Sequence, residues 1–226
     1  FVRGVGARVQ PQFASSDDYI VLPYPLFAVS YLRLPVFGEV VSAPTKAFSL
    51  YPSINFVGSR SSDDASYLKG MNDVDFAFEL GPGIAYRYGM VRGFVEARYG
   101  ITGHNGVVGE AGLDLVLNPF DRIQVSAGPR VGFANDEYVE TYFGVSNTEA
   151  ANSQFSAYNP SGGFTDVGIG ALVSYDWTDT VKLHLQADYS RYIDDIADSP
   201  VVQAGSEDQF TVGIGITYRF GADLYD

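Results

Sequence analysis

The stretch Gln209–Phe220, QFTVGIGITYRF, changes polarity at every residue. Phe210, Val212, Ile214, Ile216, Tyr218 and Phe220 are apolar or aromatic, while Gln209, Thr211, Gly213, Gly215, Thr217 and Arg219 are small or polar. Side chains of a strand point alternately to its two faces, so a period of two means one greasy face and one wet face. The same dyad recurs at 75–88, 91–102, 108–117, 122–134, 166–177 and 181–192. It is weaker at 4–13 and 47–58 and uncertain in phase at 20–34. No stretch shows the 3.6-residue helical period.

Ten strands follow from this count, and their connections alternate in length. Short turns fall at 34–37, 89–90, 118–121 and 178–180; longer loops fall at 14–19, 59–73, 136–163 and 194–208, with a tighter one at 103–105. Short turns on one side and long loops on the other are the pattern of an outer-membrane barrel. The expected fold is therefore all-β: an antiparallel transmembrane up-and-down β-barrel of about ten strands, with long extracellular loops and short periplasmic turns. Residues 1–226 form one domain, with 136–163 its longest extracellular loop and Gly144–Ala157 placed to fold over the mouth. Twelve strands would need two more within 35–58, which is too short. Phe1–Phe13 already alternate like a strand, so no targeting segment is expected ahead of them.

The two faces decide which side meets lipid. The polar face carries Arg8, Arg92 and Lys182 besides Asp75, Asp114, Asp166 and Asp176. It also carries the residues expected to form a charge network inside the lumen: Arg87, Arg98, Arg130 and Arg219 with Glu79, Glu96, Glu110 and Asp188. Burying that face in a soluble protein while exposing Phe, Ile and Val on ten strands is physically untenable. The apolar face ends in aromatics, as lipid–water boundaries require: Phe13, Phe56, Phe76, Tyr99, Phe133 and Tyr189 above, Tyr88, Trp177, Tyr218 and Phe220 below. Pro52, Pro82 and Pro129 sit on that face and are read as bulges or kinks. The absence of Cys removes disulfides and thiolate metal sites, and the net charge of -13 argues against nucleic acid.

Little points to catalysis. His104 falls in a tight outer turn, and His184 lies on the inner face four residues before Asp188, ~13 Å along the strand and out of hydrogen-bond reach. The reading is a non-enzyme. The outer loops are strongly acidic, with only Arg60 and Lys69 opposing their carboxylates. One account is a solvated rim. The other is that Asp17, Asp18, Asp194 and Asp195 hold Ca²⁺ or Mg²⁺, hard ions that take oxygen ligands, and bridge to lipopolysaccharide phosphates.

Three stretches resemble the MipA/OmpV family of outer-membrane proteins. SSDDYIVLPYP (Ser15–Pro25) is similar to its Gly-Ser-Asp-Asp-Tyr stretch and proline-spaced strand. ETYFGVSNTEAANSQFSAYNPSGG (Glu140–Gly163) resembles its Tyr-Phe-Gly-Val-Ser/Thr loop. SRYIDDIADSPVV (Ser190–Val202) and the late YRF match its last loop and strand. The resemblance implies an integral protein of the cell outer membrane, in contact with lipid and lipopolysaccharide. It also implies a scaffold for murein hydrolase–synthase complexes, with a lytic transglycosylase and a penicillin-binding protein, or another envelope complex, as partners. Such enzymes work in the periplasm, so Phe37, Phe120 and Arg122 on the short turns are the candidate contacts. The alternative is a channel or uptake porin for small solutes or ions.

Overall fold

A computed structural model of the chain describes residues 2–28, 32–34, 38–41 and 48–219, with side chains placed for 4–23 and 48–219. Its elements are β1 (Val2–Pro11), β2 (Tyr19–Ala28), β3 (Leu32–Leu34), β4 (Gly38–Val41), β5 (Phe48–Val57), β6 (Ala77–Tyr88), β7 (Val91–Gly100), β8 (Val107–Phe120), β9 (Ile123–Ala134), β10 (Gly163–Asp176), β11 (Val181–Tyr192) and β12 (Asp208–Arg219). Among the described residues the outer loops carry four short α-helices, α1 (Asp136–Phe143), α2 (Asn147–Asn152), α3 (Asp194–Ala197) and α4 (Pro200–Ala204), and one 3-10 turn at Ser66–Leu68.

Ten strands share one antiparallel sheet, in the order β2-β1-β12-β11-β10-β9-β8-β7-β6-β5. The first and last strands of the chain are neighbours, Val2 facing Arg219 and Val9 facing Val212. The sheet curls until its edge strands β2 and β5 approach each other. The expectation of ten barrel strands holds. The stretch 35–58 nonetheless carries one strand more than expected, because β4 pairs with β3 in a separate two-stranded sheet.

Burial follows the dyad. Along β12, Phe210, Val212, Ile214, Ile216 and Tyr218 are exposed, Ile214 at 62%, while Gly213 and Thr217 between them are buried. The other strands repeat this outward belt with Val5, Leu80, Ile84, Val95, Leu115, Val167 and Leu185. An apolar belt of this extent is the lipid-facing surface of a barrel. At its short-turn end stand Tyr88 and Trp177, both exposed; Phe220 lies outside the described residues.

Four expectations are corrected. Phe13 is no girdle residue: at 3% exposure it packs among Leu68, Met71, Val145, Phe155 and Val201. Helices do exist, but at four to eight residues they are too short to display a helical period. The turn read at 118–121 shifts to 121–122, because β8 runs on through Phe120 after a register shift. The β6–β7 register passes from Leu80↔Tyr99 to Gly83↔Glu96 without a slip, so Pro82, which faces Pro52 on β5, interrupts the pairing rather than bulging it.

Nitroxide labels at Ile84 and Ile214 should be reached by a lipid-soluble relaxant in bilayers, and labels at Gly213 and Thr217 should not. Equal accessibility on the two faces would rule the barrel out.

Candidate functional site

The candidate site is the lumen together with the cap that the outer loops build over it. Inside, inward positions of neighbouring strands bring opposite charges together. Glu79 on β6 is fully buried and is the hub of one cluster. It accepts from Arg98 Nε at 3.0 Å and Asn55 Nδ2 at 3.0 Å, and pairs with His104 Nε2 at 3.2 Å. Arg98 also reaches Glu96 and Ser53. A second cluster forms on Asp114, which binds Arg130 Nη2 at 2.6 Å and Arg92 Nη1 at 3.1 Å. Arg130 lies 3.7 Å from Glu110, and both guanidiniums of this cluster cover the ring of Phe94 at about 5 Å. Buried ions need such pairing, since an unpaired charge there costs several kcal/mol, of order 3–5 when one partner is removed.

Five of the eight residues expected in the network are therefore joined by ion pairs: Glu79, Glu96, Arg98, Glu110 and Arg130. Asp188 sits near them, accepting from Gln186 at 2.7 Å and lining the same cavity. Arg87 and Arg219 do not join. Arg87 donates to the carbonyl of Gly89 at its own turn, and Arg219 is exposed at the end of β12. Both lie where the strands leave the membrane, so water rather than a carboxylate solvates them. Sequence parity could place Asp114 inside but not reveal it as the centre of a cluster. Asn55 and His104 were missed as members.

The cap has a hydrophobic core of its own. Val139, Tyr142 and Phe143 of α1 pack with Val74, Ala134, Ile196 and Val202. A second group gathers Phe13, Leu68, Met71, Val145, Phe155 and Val201. The helices are locally well specified. Asn135 caps α1 through the amide of Tyr138, and Ser146 with Glu149 forms a reciprocal capping box on α2. Arg60, one of two outer-loop bases, lies inside at 2% exposure and donates to the carbonyl of Tyr142 at 2.8 Å. Burial pulls its guanidinium below the usual value, against the opposing pull of Glu149. The ring of His104 meets Tyr138 and Tyr142 edge-on at 5.0 and 5.5 Å, which ties the cap to Glu79.

Two adjacent cavities lie below the cap. One of about 230 Å³ has Phe13, Tyr138, Phe143 and Tyr192 among its walls. The other, about 280 Å³, is lined by Arg8, Arg98 and Arg130 with Glu96, Glu110 and Asp188, and the two share Arg8, Asn55, Arg98 and Glu110. His184 lies on β11, the strand that carries Gln186 and Asp188, with Ser174 Oγ at 3.0 Å and Thr217 Oγ1 at 2.9 Å, a hydroxyl at each ring nitrogen.

The acidic pairs do not assemble. Among the described residues no three His, Cys, Asp or Glu side chains come close enough to hold a metal ion. Asp17 and Asp18 are exposed, whereas Asp194 and Asp195 open α3, where the Asp195 carboxylate accepts from the amide of Ser161 and its backbone carbonyl from the hydroxyl of Tyr158. On the periplasmic side, Phe120 is 69% exposed at a cleft of about 210 Å³ shared with Asp121, Arg122, Asp176 and Lys182, and Arg122 donates to the Trp177 carbonyl. Phe37 lies outside the described residues.

Glu79→Gln should lower the unfolding free energy in detergent by about 3–5 kcal/mol, since it removes one of the two carboxylates on buried Arg98 and the shared partner of His104 and Asn55. Glu110→Gln, whose pair is longer and part-exposed, should cost under about 1 kcal/mol. Urea midpoints of the two variants check this. The cap carries a pH dependence through Glu149. Burial alone would raise its carboxyl, but the Asn72 amide, the Ser146 hydroxyl and amide, and Arg60 together hold it below the usual value. A depressed carboxyl contributes stability that is present above the unfolded value of about 4.3 and lost as pH falls through the folded one. Exchange of the Asn72 and Ser146 amides should therefore quicken only below about pH 4, and Glu149→Gln should abolish that dependence.

Comparison with known proteins bears on this arrangement. The family described as "MltA-interacting protein MipA" matches residues 4–220. Outer membrane protein OmpV of Vibrio cholerae serotype O1 is 29% identical over 165 residues, covering 70% of this chain and 60% of that protein. MltA-interacting protein of Escherichia coli K12 is 30% identical over 98 residues, 43% of this chain and 38% of that one. Putative outer membrane protein YiaT of the same strain is 26% identical over 139 residues, 59% and 52% of the two chains. The matches thus span between about two fifths and three fifths of the relatives' own lengths.

Proposed function

From a chain that belongs to the MltA-interacting protein MipA family and lies in the outer membrane, we propose a non-enzymatic scaffold whose periplasmic turns hold a murein lytic transglycosylase. The observation that carries this reading is the Phe120 corner. A large aromatic ring left exposed beside Arg122 and Lys182 offers the apolar anchor with flanking charge that interface hot spots favour. The name of the Escherichia coli relative supplies the partner class. A penicillin-binding protein would be recruited through the same complex rather than by a separate site.

Two features support the absence of catalysis and of bulk transport. The His184 ring meets only hydroxyls at its two nitrogens, and His104, which does hold the Glu79 carboxylate, is buried with its other nitrogen taken by the Gly106 amide, so neither ring is free to act as a hydrolase base. Over the lumen stand Tyr142 and Phe143, both almost fully buried in a packed cap, where a porin would keep a water-filled mouth.

Affinity capture from detergent-solubilised envelopes should recover a lytic transglycosylase with the wild-type chain, and Phe120→Ala/Arg122→Ala should reduce recovery about tenfold, the effect of one hot-spot ring. Recovery independent of that pair would sink the periplasmic site. In planar bilayers the wild type should pass no large stable current; sustained conductance would favour the uptake reading instead.

A further inference from the structure

Every neighbouring pair of barrel strands is joined by a backbone ladder except one. Among the described residues no ladder links the edge strands β2 and β5, although they come together as the sheet curls. The sequence of these two strands explains the gap. In an antiparallel pair, the N–H and C=O of one residue point to the same side, and successive residues alternate sides. β2 pairs with β1 without interruption from Val2↔Ala28 to Pro11↔Tyr19, with Pro23 opposite Ala7 and Pro25 opposite Val5. An unbroken ladder through two prolines requires both to occupy positions that do not bond toward β1, so their missing N–H groups face β5. Pro52 of β5 lies opposite Pro82 of β6; neither can donate to the other, so the missing N–H of Pro52 faces β2.

Three absent donors therefore meet along one seam. By the same alternation the Phe56 carbonyl also faces the seam, and there it accepts from the Gln10 side chain at 3.1 Å rather than from a backbone amide. Arg8 of β1 reaches Asn55 of β5 at 2.8 Å. Near the outer end the two sides close tightly, for a Cβ on Gly58 would meet the carbonyl oxygen of Gln12. Deeper in, at Asn55 and Phe56, side chains of β1 take the place of a ladder, and Pro23 and Pro52 lie further inward still. Those prolines lie four and five residues from the outer ends of their strands, about 13–17 Å inward at the usual rise, within the hydrocarbon. On the lumen side lies the cavity of about 280 Å³ with Arg8 and Asn55 in its wall.

We propose that the β2–β5 seam is a lateral doorway between this cavity and the outer membrane, and that it admits a single-tailed amphiphile with a zwitterionic head. Outward residues of β2 and β5, Val21, Pro23, Pro52 and Phe48, are exposed and apolar and suit the tail. Inside, three guanidiniums (Arg8, Arg98, Arg130) and three carboxylates (Glu96, Glu110, Asp188) line the wall, and so offer donors to a phosphate and acceptors to an ammonium of one head. With the cap packed over the mouth, the seam is the weakest wall: opening it breaks side-chain contacts and no ladder.

The test uses the full chain in nanodiscs with a lysophosphatidylethanolamine that carries a photoreactive group near its head. Cross-links should appear on the inward residues Ser53 and Asn55 and on Arg8, and Pro23→Ala/Pro25→Ala/Pro52→Ala, which restores three donors, should reduce them about tenfold. Independently of that variant's folding, the wild-type amides of Ile54 and Phe56 should exchange with deuterium far faster than those of Ile214 and Ile216. Seam amides as protected as those of β12, or labelling confined to the outer face, would overturn the proposal. So would labelling that the folded triple variant leaves unchanged.

Discussion

In hydrocarbon there is no water to satisfy a backbone amide, so the N–H and C=O groups of spanning strands are driven to find partners in the chain, and any stretch left without a ladder is costly. The rest of this structure depends on that constraint. It requires a curled sheet in which β12 returns to β1, and it makes a strict period of two the only economical sequence pattern, since a slip of one residue would turn every apolar side chain inward. It also dictates what the lumen must look like. Once Ile, Val and Phe are given to lipid, the small and charged residues are left to fill the interior, and buried charges are tolerable only in pairs. The clusters around Glu79 and Asp114 are the result.

The cap obeys a different rule. Its loops lie in water and are rich in acids, yet they fold around two apolar groups because their few hydrophobic residues converge from four separate regions of the chain: Phe13, Leu68 to Val74, Ala134 to Phe155, and Ile196 to Val202. Convergence of that kind is a tertiary property. Arg60 makes the same point from the polar side. It is surrounded in sequence by Ser and Asp and would pass for part of the solvated rim, but the bridge between its backbone and Val74 draws it beneath α1.

What could be read from the sequence and what could not divides along this line. Alternation is local, so the barrel, its ten strands and the inward placement of Glu79, Arg98 and Arg130 are all legible in the sequence. Parity, however, says only which face a residue occupies. It gave Arg87 and Arg219 the same standing as Arg98, although the former pair sits beyond the region where a charge needs a partner. It assigned Phe13 to lipid because it cannot distinguish an outer girdle from a cap that folds over the strand end. The short helices were hidden from any periodicity test, but Ser146 and Glu149 spell a capping box that a search for helix starts would have found. His104 is the instructive omission. A histidine in a tight turn reads as exposed, and only the arrival of Tyr138 and Tyr142 from a distant loop buries it.

Glu79 is where these separate pieces meet. Its carboxylate binds Arg98 in the wall, His104 under the cap, and Asn55, which in turn holds Arg8 across the seam. Cap, wall and seam thus share one buried anion. A shift of α1 that disturbed His104 would alter the field at Asn55, because contacts at about 3 Å in a region of low dielectric are strongly coupled. The barrel wall at β6 to β12 has ladders to resist such a shift. The seam, with three prolines in place of donors, is bridged among the described residues by contacts such as Arg8–Asn55 and Gln10–Phe56 rather than by a ladder. Any rearrangement transmitted through Glu79 is therefore felt first between β2 and β5, which makes the seam and the cap parts of one mechanical unit.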